Sequence, residues 1–170
     1  MSRWRLAWAL VGALAIALGA QISVPMVPVP TTLQTLALVV CALLGGPRVG
    51  GGAALVYLAL AVAGLPVLAD GASHAGLGFL EVKSAGYVVG FVPAAIVAGR
   101  LAQARGGFRS WLVAGLAAHG VVFLIGVPVL ASWVGWAVAL EHGLVPFLPG
   151  ALAKSALGAC AWYWRRYRRP

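Results

Sequence analysis

Thr32–Pro66 reads TLQTLALVVCALLGGPRVGGGAALVYLALAVAGLP, and the number of times this stretch crosses a membrane sets the architecture of the whole chain. It is nearly all apolar and much longer than the roughly 20 residues a helix needs to span a bilayer. Its middle holds Gly45, Gly46, Pro47 and Arg48. Proline in a helix interior removes a hydrogen bond and clashes with the preceding turn, glycine permits a reversal, and a charge prefers the water interface. The stretch therefore reads as two short helices, about 32–44 and 49–64, joined by a turn at Arg48. Both are shorter than a usual span, so they extend into the glycines or cross thinned lipid.

Outward from this hairpin, further apolar runs occupy about 4–22, 84–101, 111–130 and 145–163. The expectation is all-α: an integral membrane bundle of six transmembrane helices within one transmembrane domain, 1–170, without internal repeats. Composition agrees. Apolar types make up 62% of the residues and charged types 9%, against about 25% charged in a soluble domain. A soluble fold of this size has too small a core to hide that surface. The net charge of +9 does not point to nucleic acid, because the basic residues cap apolar runs and face lipid headgroups. Cys41 and Cys160 lie in apolar runs and behave as small hydrophobes.

Six passes put both termini on one side. With that side cytoplasmic, Arg3, Arg5, Arg48, Arg100, Arg105, Arg109, Arg165, Arg166, Arg168 and Arg169 fall inside, and Asp70, Glu81 and Glu141 fall outside. This satisfies the positive-inside rule, whereas a single long helix through Arg48 would reverse everything downstream.

Lys154 is the exception, because it falls near the middle of the sixth span. A cation at that depth costs about 2.5–3.5 kcal/mol on insertion scales and usually faces a partner or a water-filled cavity. No Asp or Glu falls within a span. An outside-facing cavity whose anionic partner is a ligand resolves the problem; snorkelling, or donation to carbonyls freed by Pro146 and Pro149, is the alternative. Thr31, Thr32, Gln34 and Thr35 begin the second helix at the same level, and Tyr87 begins the fourth. Gln34 offers a donor and an acceptor, Tyr87 a ring and a hydroxyl. Such a set suits a small molecule with an amide-like head, an apolar body and an anionic end. Two outer segments, Ser23–Pro30 with Pro25, Pro28 and Pro30, and Leu65–Lys83 with Asp70, His74 and Glu81, are candidate lids.

Several chemistries are excluded. Lys154-Ser155 resembles the end of a phosphate loop, but Ala153 and Leu148 stand where that loop needs glycine. His74, His119 and His142 lack metal-ligand spacing, and His119 reads as hydrogen-bonded structure. With no paired carboxylates or nucleophile set in the membrane, the chain is not expected to be an enzyme or to need a cofactor. Ala9, Ala13 and Ala17 form a smooth stripe on the first helix, suited either to a partner protein or to packing within the bundle.

The ordered motifs resemble the BioY family, the biotin-specific substrate-binding subunits of energy-coupling-factor (ECF) transporters. They are Pro28-Val-Pro-Thr-Thr-Leu-Gln-Thr35, Leu44-Gly45-Gly46-Pro47-Arg48, Tyr57-Leu58, Ala63–Val67, Ala85–Phe91, His119, Gly126-Val127-Pro128, Pro146–Gly150 and Lys154. The resemblance implies capture of biotin from outside, and uptake through a membrane coupling subunit and two cytoplasmic ATPases. It implies a bacterial or archaeal cytoplasmic membrane, a substrate role for Lys154 and Tyr87, and docking of the coupling subunit on Ala9, Ala13 and Ala17. Gln34 and Thr32 complete the expected substrate site. Two positions depart from the family pattern. Ala151 stands where an Asp is usual three residues before the lysine, and Val82-Lys83-Ser84 replaces Gly-Pro-Thr. The same architecture binding another small anionic vitamin, or a structural membrane protein without transport, are the alternatives.

Overall fold

The computed structural model describes residues 2–69, 76–104 and 106–167. The helices among them are α1 (Arg3–Gln21), α2 (Gln34–Val62), α3 (Ala85–Ala104), α4 (Phe108–Val134), α5 (Trp136–Gly143) and α6 (Phe147–Tyr167), with a 3-10 turn at Gly76–Glu81. α1, α2, α3 and α4 are each long and apolar enough to cross a membrane, and α5 with α6 qualifies as a pair bent by 42°. The chain is a multi-pass, all-α membrane protein.

α2 is folded back on itself. Gly46 leaves the helix with φ 76° and ψ −176°, just before Pro47. A Cβ on Gly50 would come within 2.7 Å of Ala42 Cα. In a straight helix those residues are about 12 Å apart. Gln34, at the start of α2, hydrogen-bonds Tyr57 near its end. The legs 34–45 and 47–62 are therefore antiparallel, and α1, the two legs, α3, α4 and α6 run in alternating directions. At about 18 and 24 Å both legs fall short of a 30 Å hydrocarbon core.

Helix ends follow local chemistry. Gly64 (φ 83°) stops the second leg in a Schellman arrangement, with Leu65 N–H donating to Leu60 O and Gly64 N–H to Ala61 O. Gly135 (φ 81°) separates α4 from α5, and Pro146 immediately precedes α6. The short α5 was not expected from the sequence. Nor was the two-residue antiparallel ladder that pairs β1 (Ser23–Val24) with β2 (Thr31–Thr32), inside a segment expected only to be extended. The Val27–Pro28 peptide is cis.

Helices approach closely because small residues line their interfaces. Ala9, Ala13, Ala42, Ala53, Ala94 and Ala98 are all essentially inaccessible. Larger buried groups, such as Tyr57 and Trp111, fill the remaining space. Arg3 and Arg5 open α1, Arg48 follows the hairpin turn, Arg100 lies near the end of α3, Arg109 opens α4, and Arg165 and Arg166 close α6. Because successive passes alternate, these arginines gather at one end. Glu81 and Glu141 lie at the other. Asp70, His74, Arg105, Arg168 and Arg169 lie outside the described residues.

Candidate functional site

At the end opposite the arginines, one cavity of about 60 Å³ is lined by all four residues expected to bind substrate: Thr32, Gln34, Tyr87 and Lys154. They come from the β2 strand, the first leg of α2, α3 and α6. Val29 and Pro30 from the first outer segment, and Leu68 and Ala69 from the second, reach the same space. Both candidate lids therefore border it.

Lys154 is half-buried seven residues into α6, about 10 Å along the helix. Its Nζ donates to Thr32 O at 2.6 Å and to Thr35 Oγ1 at 3.3 Å. An ammonium has three N–H donors, so one is left to the cavity among the described residues. The ion pair found among those residues, His142 with Glu141 at 4.0 Å, lies elsewhere. The charge is thus held by neutral oxygens beside a hollow. The cavity that the ligand reading expects is present, while the carbonyl that Lys154 meets is that of Thr32 in β2 rather than one freed by Pro146 or Pro149. Thr32 presents its carbonyl because the ladder ends there, while its hydroxyl accepts from Gln34 N–H at 3.3 Å.

Gln34 is 6% exposed, and its side-chain nitrogen donates to Tyr57 Oη at 3.0 Å. Tyr57 Oη in turn donates to Val67 O. This relay ties the start of the first leg to the loop after the second, so the Gln34 amide nitrogen serves the scaffold. Tyr87 is similar. Its hydroxyl, expected to be available to a ligand, donates to Gly143 O at 2.9 Å. The ring faces the cavity, stacked on Phe147 with centroids 6.3 Å apart. Gly126 makes room for it, since a Cβ there would overlap the Tyr87 ring. Phe147, Phe123 and His119 continue this aromatic wall.

The alanine stripe is not exposed. Ala9 and Ala13 are 0% and 1% accessible and face the bundle interior, and Ala17 is half-buried. Ala9 and Ala13 thus pack within the chain, while Ala17 keeps part of its surface open. Gly12 shows why: a Cβ there would meet Ala53 Cβ at 2.8 Å, so α1 lies directly on α2.

The arrangement offers a cation, an aromatic wall and backbone polar groups in a space bordered by two outer segments. Such an arrangement has the chemistry to hold and orient a small amphiphilic anion. Among the described residues no group of three or more His, Cys, Asp or Glu stands ready to hold a metal.

The model of the BioY family matches residues 1–169. The chain belongs to the BioY family. Its relatives include the biotin transporter BioY of Thermotoga maritima, 36% identical over 145 residues that cover 85% of each chain. The probable biotin transporter BioY of Pyrococcus horikoshii is 35% identical over 81% of each. Among solved structures, the crystal structure of the S-component for biotin from an ECF-type ABC transporter superposes with a TM-score of 0.82. That match covers 99% of this chain and 95% of the other at 22% identity, a likeness of fold.

Both departures from the BioY pattern fall at the cavity. Ala151 lies one turn before Lys154 and lines it, as does Ser84. Sequence reasoning missed Phe123 and Phe147 as wall residues, and treated His119 as structural although it too lines the cavity. The signal for His119 was present: an ionisable side chain within a membrane helix is a functional candidate by default.

Proposed function

We propose that this chain captures biotin from the outer face of a bacterial or archaeal cytoplasmic membrane, as the substrate-binding subunit of an ECF-type transporter. The observation that carries the reading is the half-buried Lys154 ammonium, held by uncharged oxygens and bordering a cavity that is also lined by aromatic rings. A carboxylate or a carbonyl oxygen of the ligand completes the ammonium's shell, and the aromatic wall covers the apolar part of the ligand. The arginine-rich end faces the cytoplasm, with both termini, and the cavity opens outward. A membrane coupling subunit and two cytoplasmic ATPases supply the energy, and the subunit itself catalyses no reaction. With Ala9 and Ala13 enclosed, the apolar face left on α1 for a coupling subunit or lipid carries Leu10, Leu14 and Leu18, all exposed.

Calorimetric titration of the purified full chain tests the proposal. Biotin binds, and Lys154→Ala weakens it tenfold or more while the variant remains monodisperse. Unchanged affinity in a well-behaved variant refutes the role of Lys154. Ala151 gives weight to a second reading, another small anionic vitamin in the same cavity. A thermal-shift panel of vitamins separates the two, the true ligand giving the largest stabilisation.

A further inference from the structure

The cavity contains a second polar group whose bonding is incomplete. His119, in the middle of α4, is 4% exposed. Its Nδ1 lies 2.9 Å from Gly115 O and 3.1 Å from Ser155 Oγ of α6. A carbonyl oxygen can only accept, so the proton of the neutral ring is assigned to Nδ1. Nε2 is then a bare acceptor, and it is buried without a partner among the described residues. Buried polar atoms in native structures are nearly always paired, and an exception calls for an explanation.

Packing on both sides fixes the ring. Gly115 lets α6 approach, since a Cβ there would meet Ser155 Cβ at 3.0 Å. Phe123 stands tilted beside the imidazole at 6.4 Å. The edge that carries Nδ1 is thus bonded to the scaffold, while the ring borders the same cavity as Lys154, Tyr87 and Ala151. The cavity is therefore bordered by a cationic donor and by a neutral ring whose enclosed Nε2 is an unpaired acceptor. Ala151 supplies no side-chain acceptor of its own.

We infer that His119 is a ligand-binding residue: its Nε2 accepts a hydrogen bond from a ring N–H of the ligand, selecting cyclic ureas or amides over ring systems that lack an N–H. This rests on the reading of the cavity as the biotin site, and extends it by naming which ligand group is recognised and by which atom. Imidazole suits the task in an apolar span because it accepts without adding a second full charge beside Lys154.

The test uses calorimetry on the purified full chain, with biotin and with two analogues, each N-methylated at one of the ureido nitrogens. His119→Phe removes the acceptor at similar size, and His119→Gln returns a carbonyl oxygen near the position of Nε2. Biotin affinity should fall tenfold or more in His119→Phe and stay within about threefold of the parent in His119→Gln. At least one analogue should bind the parent tenfold or more weakly than biotin, and His119→Phe should no longer distinguish it from biotin. The analogue comparison on the unaltered chain stands even if His119→Phe fails to fold. If biotin binds the parent but both analogues bind equally well, or if His119→Phe matches the parent, the inference falls while the biotin reading survives. Equal losses in His119→Gln and His119→Phe also overturn it. Absence of biotin binding to the parent removes the biotin reading itself, and this inference with it.

Discussion

Beside the α2 turn, at the arginine end of the bundle, backbone packs on backbone, whereas beside the cavity at the opposite end a glycine faces an aromatic ring. The hairpin turn of α2 rests on α3 so closely that a Cβ on Gly99 would overlap Pro47 N and Gly46 C. Nearby, Trp111 is enclosed, with the Arg165 guanidinium 5.7 Å above its ring. At the cavity end the space beside Gly126 is filled by the Tyr87 ring. Irregular backbone, the short ladder and α5 complete that end. Small residues without side-chain freedom make a rigid joint. Irregular backbone at membrane depth is tolerated where it lines a cavity or is buried in protein, and there it leaves carbonyls such as that of Thr32 free to hold an ammonium. The α2 turn is thus a backbone joint, whereas the cavity wall beside Gly126 is built from side chains.

The largest effect is expected where glycine meets backbone. Gly99→Ala places a methyl group against atoms of the α2 turn that no rotamer change can move. The expected cost is about 3 kcal/mol, the upper range for overpacking. It should appear as a clear fall in melting temperature and in the monodisperse fraction, while the folded remainder binds ligand normally. An unchanged melting temperature would show that the turn shifts freely and that the two ends do not differ in rigidity.

Gly126→Ala sharpens the same contrast at the other end. Here the obstacle is a ring, which can rotate away at the expense of the aromatic wall. Stability should therefore fall less than in Gly99→Ala. Biotin affinity should fall about tenfold, equivalent to about 1.4 kcal/mol, because the displaced Tyr87 ring enters the cavity. Parent-like affinity measured by titration would mean that Tyr87 contributes no binding surface.

The sequence made the arginine end more legible than the cavity end, for a physical reason. The break at Gly45–Arg48 carries a proline, two glycines and a charge, and each independently disfavours a straight span. Charge placement then ordered the passes. The level of Lys154, Tyr87, Gln34 and Thr32 followed from counting along helices of known direction, and the four do border one cavity. What each polar atom does there was not legible, because helix rotation is set by packing. Gln34 points its amide nitrogen at Tyr57, and Tyr87 gives its hydroxyl to Gly143. The small-residue stripe of Ala9 and Ala13 announced a close approach but not the neighbour, which is the chain's own α2. The short α5 lies between Gly135 and Pro146, in a stretch too brief for a periodic pattern to identify.

The smallest expected effect separates scaffold from site within one residue. Tyr87→Phe keeps the ring against Phe147 and removes only the hydroxyl that donates to Gly143 O at 2.9 Å. Loss of one buried hydrogen bond costs about 1 kcal/mol, so the melting temperature should fall slightly. Biotin affinity should stay within about twofold, since the cavity keeps the same aromatic surface. A ligand that bonded the hydroxyl would instead lose affinity with little change in the unliganded protein. Measuring melting temperature and affinity on the same variant therefore distinguishes a hydroxyl that fastens α3 to the end of α5 from one that reads the ligand. Because the hydroxyl already has its acceptor in α5, the stability loss is the outcome the geometry favours.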